Sequence, residues 1–433
     1  MQNYGLNIMK NKSLVLNEGY APDDNKLYIK ESYDCYIKDV KNNIYIDTAM
    51  GGGSFVLGHA QKFIQNEIIK QLKKGSLYTL PNEKTHELAS LLNQAIPNFN
   101  RFVFCSTGSE ATMRAIRIAR AYTNKKKIAI FSGSWHGSHD LLMVDDTYVG
   151  NEQVPKKILK SNGMLHDILK NIILLPYNQE KAFEIITKNK NDLAMVLIEP
   201  AQGSNPRDDI KGFLQNLRKT TQEHDILLGF DEIITGFRVA LGGAQEYYGI
   251  KADIATYGKA VGGGLPLAVV AGTQKVMQTI KVGTKENPQS IFMGGTFSAN
   301  PLSITASYTM LKHLIKNKNK IYPKLEKKSK YFRDSINKIC QINEVSAHMI
   351  GINSMLRFIF TSFPVTSRHS RDQHEKSIEI QSLFYKNMLE NHKIHIASNR
   401  INFLSIKHKK KDIDKIIKAY EIEIKRFKEM GYL

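Results

Sequence analysis

Residues 226–264 read ILLGFDEIITGFRVALGGAQEYYGIKADIATYGKAVGGG. An apolar run, Ile226–Phe230, ends on Asp231 and Glu232. A second, Ile254–Thr256, passes through Tyr257-Gly258 into Lys259, and Gly262-Gly263-Gly264 follow closely. Short continuous apolar runs separated by helix-length segments read as strands of a mostly parallel sheet, covered on both faces. In open sheets of this kind, ligands bind in the crevice at the carboxyl ends of the strands. Asp231 and Lys259 both stand at such ends, 28 positions apart. Glycines beside Lys259 let a bulky group approach the backbone. A buried lysine has a lowered pKa and turns nucleophilic. Taken alone, a strand-end carboxylate is equally a helix N-cap, and one lysine among 61 Lys and Arg says little.

The same pattern extends in both directions. Phe102–Phe104, Ile128–Phe131, Met195–Ile198 and Leu267–Ala271 are further apolar runs that alternate with amphipathic segments. Asn300-Pro301 breaks the chain, and ITASYTMLKHLIKN beyond it reads as helix. The C-terminal third mixes long helices with short strands, expected at Glu344–Ala347 and Asn353–Phe360. Near the N-terminus, strands flank a turn at Asn42-Asn43, a glycine turn follows at Gly51-Gly52-Gly53, and Phe63–Lys73 has helical spacing. A chain of 433 residues exceeds what one core holds, about 250–300 residues. The expected organisation is a large α/β domain over 61–310, with residues 1–60 and 311–433 contributing to a smaller α+β domain.

Composition excludes several classes. No apolar run approaches the ~18 residues of a spanning helix, and the first twenty residues have neither an apolar core nor a cleavage site for export. The expectation is a cytoplasmic protein with no membrane partner. Cys35, Cys105 and Cys340 are too sparse for a disulfide framework, and no metal-binding spacing is present. The net charge is +20. Lysine clusters such as Lys316–Lys330 and Lys407–Lys411 lack interleaved stacking aromatics and read as solvated helix faces, so no nucleic-acid partner is expected.

Three more motifs surround the first. Cys105-Ser106-Thr107-Gly108-Ser109-Glu110 follows a strand and opens a helix. Free N–H groups and the positive dipole end there suit a phosphate; the same letters serve a capping box. Ser134-Trp135-His136-Gly137 puts an aromatic at a strand end, suited to stacking on a planar group or to simple core packing. In Gly294-Gly295-Thr296, a threonine after two glycines can donate to a phosphate through its hydroxyl and N–H.

In this order the motifs resemble the class III (subgroup II, fold type I) pyridoxal-5′-phosphate (PLP) dependent aminotransferases, nearest to their glutamate-1-semialdehyde 2,1-aminomutase branch. The run from Phe230-Asp231-Glu232 to Gly236-Phe237-Arg238 and Tyr247-Tyr248-Gly249 carries most of the likeness, which spans roughly residues 30–310. The resemblance implies the PLP-transferase fold and a homodimer with sites at the interface. It implies that Lys259 holds PLP as a Schiff base and shuttles protons, while Asp231 pairs with the ring nitrogen. Gly108 and Ser109 would cradle the phosphate. Trp135 would stack on the ring beside His136, and Ile233 would pack the other face. Glu199 marks a neighbouring strand end. Ser204 or Asn205 would meet the ring hydroxyl. Thr296 would reach the phosphate of the neighbouring subunit. Ser161-Asn162-Gly163 resembles part of a gating loop.

Departures bear on substrate. The branch's N-terminal carboxylate-binding arginine falls on Asn17, its pocket tryptophan on Gly52, and its A-P-S-x-F-E motif on Ala397–Asn402, without the glutamate. Gly52 enlarges the pocket, and Arg400 becomes a candidate for an anionic part of the substrate. The expected function is ping-pong amino transfer between a small-molecule amine and a keto or aldehyde acceptor bulkier than glutamate semialdehyde. The alternative is a true aminomutase with a rebuilt pocket. A non-catalytic PLP-binding protein is the third reading.

Overall fold

Seven strands form one sheet in the order Arg101–Cys105, Ala268–Gly272, Ile254–Tyr257, Leu227–Glu232, Leu193–Ile198, Lys127–Phe131 and Ile172–Leu175. The structure is a computed structural model that describes residues 27–147, 154–280 and 291–433. Only Ala268–Gly272 runs antiparallel, to both of its neighbours. The central runs are apolar throughout because both faces are covered: all six residues of Leu193–Ile198 are buried. Successive side chains alternate between faces. Ile128, Ile130, Met195, Leu197, Leu227 and Ile254 pack with Ala111, Ala115 and Ile118 of the helix Gly108–Thr123. Phe131, Val196, Ile198, Leu228 and Phe230 pack on the other face with Phe213, Leu214 and Leu217 of the helix Lys211–Glu223. Asp231 continues the alternation of Leu227 and Gly229, so it faces the helix that begins at Gly108.

The helix Pro301–Ile342 starts where the Asn300-Pro301 break predicts, with Asn300 Oδ1 accepting the N–H of Ser303 at 3.0 Å. Its lysines 316, 318, 320, 324, 327 and 330 are exposed. Beyond it, His348–Ile352, Met355–Ile359 and Ile401–Phe403 form an antiparallel sheet. Its core joins Phe332 of the long helix to Phe358, Phe384 and Tyr420. The N-terminal strands Ile29–Tyr33, Tyr36–Asp39 and Ile44–Asp47 form an antiparallel meander, and Ile394–His395 adds to its edge in parallel, pairing with Ile46 and Asp47. An N-terminal meander and a strand from the C-terminal third therefore share one sheet.

Two expectations need correction. Glu344–Ala347 is not a strand: Glu344 is left-handed (φ +52°) in the turn that ends the long helix, and the strand begins at His348. The strand expected from Asn353 begins at Met355, because Asn353 (φ +43°) and Ser354 form the two-residue hairpin turn. The edge strand Ile172–Leu175 was absent from the apolar runs singled out in the sequence.

Candidate active site

Five strand ends converge on one region. The strands ending at Cys105, Phe131, Ile198, Glu232 and Tyr257 lead into Gly108, Trp135-His136, Glu199, Ile233 and Lys259, respectively. The parallel register sets Asp231 beside Thr256.

Asp231 is buried, with three hydrogen-bond partners and acceptor capacity left on Oδ2. Its Oδ2 lies 2.7 Å from His136 Nδ1, and its Oδ1 accepts the N–H of Ile233 at 3.0 Å and the hydroxyl of Thr256 at 3.3 Å. These contacts fix the orientation of the carboxylate. His136 is also buried, and its Nε2 has no partner among the described residues.

Glu199 ties two loops together. Its Oε1 accepts the N–H of Trp135 at 2.7 Å and its Oε2 that of Gly203 at 2.8 Å. Burial, with Asp231 nearby, pushes the Glu199 carboxyl above its ordinary range against the pull of His136. In the loop it holds, Asn205 is buried with neither amide atom partnered among the described residues, and the Oε1 of buried Gln202 is likewise free. Such orphans are uncommon in folded proteins and point to an unmet partner. Ser204 instead donates to the Gly133 carbonyl at 3.3 Å, and its own carbonyl accepts from Arg371. Gln202 was missed in the sequence because nothing in its spacing separates it from a core amide.

At the helix start the capping-box reading of Ser106–Glu110 holds. Thr107 and Glu110 form a capping box, with Thr107 Oγ1 accepting the N–H of Glu110 at 3.2 Å and Glu110 Oε2 accepting that of Thr107 at 3.3 Å and also that of Ser106 at 2.6 Å. Gly108 and Ser109 begin the helix, where N–H groups have no intrahelical acceptor. Gly137 (φ +100°) lets the Trp135-His136 loop press on this turn: a Cβ there would meet Ser109 Oγ at 2.7 Å. Ile233 packs between the helix start and the lysine loop, because a Cβ on Gly108 or Gly258 would lie 3.1 or 2.9 Å from its Cδ1.

Lys259 has φ +46° in the turn after its strand. Burial pushes its ammonium down to about 8, against the pull of Glu199 and Asp231 and with help from the Arg238 cation. A Cβ on Gly52 would lie 4.0 Å from Lys259 Cε, with nothing nearer, so Gly52 faces the lysine.

Thr296 and Arg400 sit apart from this cluster, and Trp135 is partly open to solvent. Trp135 is 47% exposed, with Lys160 Nζ 5.2 Å above its ring. Thr296 is exposed and lines a separate cavity of about 400 Å³ with Tyr78, Leu80, Asn82 and His86. Arg400 (φ +66°) turns its guanidinium to Gln381 and Ser382 on the helix Ile378–Glu390 and over the Tyr385 ring. Asn402, sixth in the run that departs from A-P-S-x-F-E, is buried between Thr48 and Tyr420. Asn17 lies outside the described residues.

The chain is similar to known proteins in sequence and in fold. Residues 20–361 match the family Aminotransferase class-III. The glutamate-1-semialdehyde 2,1-aminomutase of Methanococcus maripaludis (strain C6) is 36% identical over 406 residues, covering 92% of this chain and 91% of the relative. An omega-transaminase from Sphaerobacter thermophilus superposes with a TM-score of 0.84 at 26% identity, over 96% of this chain and 93% of that one. A transaminase solved with PLP bound superposes with a TM-score of 0.86 at 22% identity over 100% of both chains, which speaks to the fold alone. The chain therefore belongs to the class-III aminotransferase family and is an enzyme of the PLP-dependent aminotransferase and aminomutase group.

Proposed function

We propose that this chain binds PLP at Lys259 and transfers an amino group between separate small molecules, an amine donor and a keto or aldehyde acceptor. The observation that carries the reading is the convergence of Lys259, Asp231 and the helix start at Gly108 on neighbouring strand ends. The donor set suits the cofactor. A lysine lowered to about 8 has a nucleophilic neutral form near neutral pH. The Asp231 carboxylate suits a protonated ring nitrogen, the N–H groups of Gly108 and Ser109 suit a phosphate, and the unpartnered Asn205 amide and Gln202 Oε1 suit a ring hydroxyl. Ile233 and Trp135 supply flat apolar contact for the two ring faces. When bound, PLP supplies an electron sink. Lys259 Nζ removes and returns the substrate proton as general base and acid. Glu199 holds Trp135 and Gly203 in place, and the His136 contact keeps Asp231 oriented.

The working unit in this reading is a homodimer. Thr296 is exposed next to Phe297, Phe292 and Leu80, large apolar side chains that are 62%, 75% and 78% exposed. A second subunit covering them brings Thr296 to that subunit's phosphate.

Intermolecular transfer is favoured over isomerisation by the pocket. Gly52 offers no side chain over Lys259, and Asn402 is held between Thr48 and Tyr420. The second reading, an aminomutase, is favoured by the 36% identity to the Methanococcus enzyme of that name. Absorbance titration separates them. Conversion of the cofactor band by L-glutamate, without isomerisation of glutamate-1-semialdehyde, supports intermolecular transfer. Formation of 5-aminolevulinate from the semialdehyde supports the aminomutase.

A further inference from the structure

Arg238 is wholly buried, yet among the described residues it pairs with no carboxylate. Its Nε and Nη2 both donate to the Gly53 carbonyl, at 2.9 and 2.6 Å. Its Nη1 donates to Ser354 Oγ at 3.0 Å and to the Leu404 carbonyl at 3.1 Å, and its guanidinium lies 5.2 Å from the centre of the Phe403 ring. A buried cation is costly to keep unless its donors are satisfied. Half of its four hydrogen bonds here go to a single carbonyl.

That carbonyl ends an unusual turn. Met50, Gly51, Gly52 and Gly53 are successively left-handed, with φ of +47°, +61°, +64° and +93°. Such a run is sparsely populated and persists only where its surroundings impose it. The opposite end of the turn is held by an anion. Buried Asp47 accepts the N–H of Ala49 at 2.9 Å and of Met50 at 3.1 Å, while His59 and His395 flank its oxygens at 2.7 and 2.8 Å. Phe55, just after the turn, packs against the lysine loop: a Cβ on Gly264 would meet its ring at 3.1 Å.

We infer that Arg238 and Asp47 are positioning residues that clamp the Met50–Gly53 turn so that Gly51–Gly53 form a side-chain-free wall facing Lys259, and that this wall admits substrates carrying a branched or ring-bearing group beside the reacting carbon. The inference rests on the reading of Lys259 as the PLP lysine. No side chain of the turn projects over Lys259 at Gly52, so a bulky group has room there. The clamp prevents the turn from collapsing onto the lysine when the space is unfilled.

Aminooxy reagents test this on the holoenzyme, because they attack PLP held on a lysine whatever the natural substrate is. The rate of the absorbance change is measured with methoxyamine and with O-benzylhydroxylamine. The expected native rates agree within about threefold. Gly52→Leu should slow the benzyl reagent at least tenfold while changing methoxyamine less than threefold, a selectivity that general destabilisation does not produce. In an Arg238→Lys background, which keeps the charge but not the fork of donors, the selective effect of Gly52→Leu should shrink to about threefold or less. Equal slowing of both reagents by Gly52→Leu overturns the wall. An undiminished Gly52→Leu effect in the Arg238→Lys background overturns the clamp. If Arg238→Lys does not fold, Asp47→Asn replaces it in the same cycle. No absorbance change with methoxyamine in the native protein overturns the Lys259 reading itself, and is thereby distinguished from failure of the wall.

Discussion

His136 Nδ1 lies 2.7 Å from Asp231 Oδ2, and both side chains are buried. They are 95 positions apart in the chain and meet because their strands end at the same edge of the sheet. The pair joins a loop that carries the one tryptophan to the carboxylate assigned to the cofactor ring.

His136→Ala leaves Asp231 with the Ile233 N–H and the Thr256 hydroxyl only. Leaving a buried acceptor without its hydrogen-bond partner costs about 1–3 kcal/mol. Denaturant unfolding of the variant without cofactor should show a loss of that size. A loss under ~1 kcal/mol would mean that the contact does not anchor Asp231.

Lys259→Ala should abolish the visible absorbance of bound PLP and lower turnover by at least ~10²–10⁴-fold, the range of a positioned general acid or base. Unchanged absorbance would remove Lys259 from the centre of the site.

The pH dependence follows from the direction of the lysine's shift. Burial lowers Lys259 from 10.5 to about 8. The neutral amine is the nucleophile, so its fraction rises with pH through that value rather than through 10.5. The rate at which stripped protein takes up PLP, followed by absorbance, should therefore rise from pH 6.5 and level off above about pH 9. A rate still climbing tenfold per unit at pH 9.5 would mean an unshifted lysine.

Thr296→Ala should weaken PLP binding by about 1.5–3 kcal/mol, the worth of a hydrogen bond to a charged group. Co-expression with Lys259→Ala tests which subunit it serves. If Thr296 acts across an interface, the mixed dimer contains one complete site, and activity returns when the two inactive or weakened chains are combined. If it acts within its own chain, mixing restores nothing.

The class of the protein was legible from a short stretch of chain. Continuous apolar runs mark strands buried on both faces, and the residue that follows each run must emerge at the sheet's carboxyl edge. That geometry is local, so Asp231, Lys259 and the Gly108–Ser109 turn were placed at strand ends without coordinates. The antiparallel direction of Ala268–Gly272 was not legible, because an apolar run has no polarity. Nor was the choice within the Gly203-Ser204-Asn205 loop, where Ser204 is taken by Gly133 and the Asn205 amide and Gln202 Oε1 are left without partners among the described residues. The fate of Arg400 depended on Gln381 and Ser382 of a separate helix. Arg238 stood in plain view in the quoted stretch, but its partner Gly53 is 185 residues away. Sequence order fixed which groups reach the strand ends, since backbone periodicity dictates it; which of their hydrogen bonds are met, and by whom, was decided only when distant segments packed together.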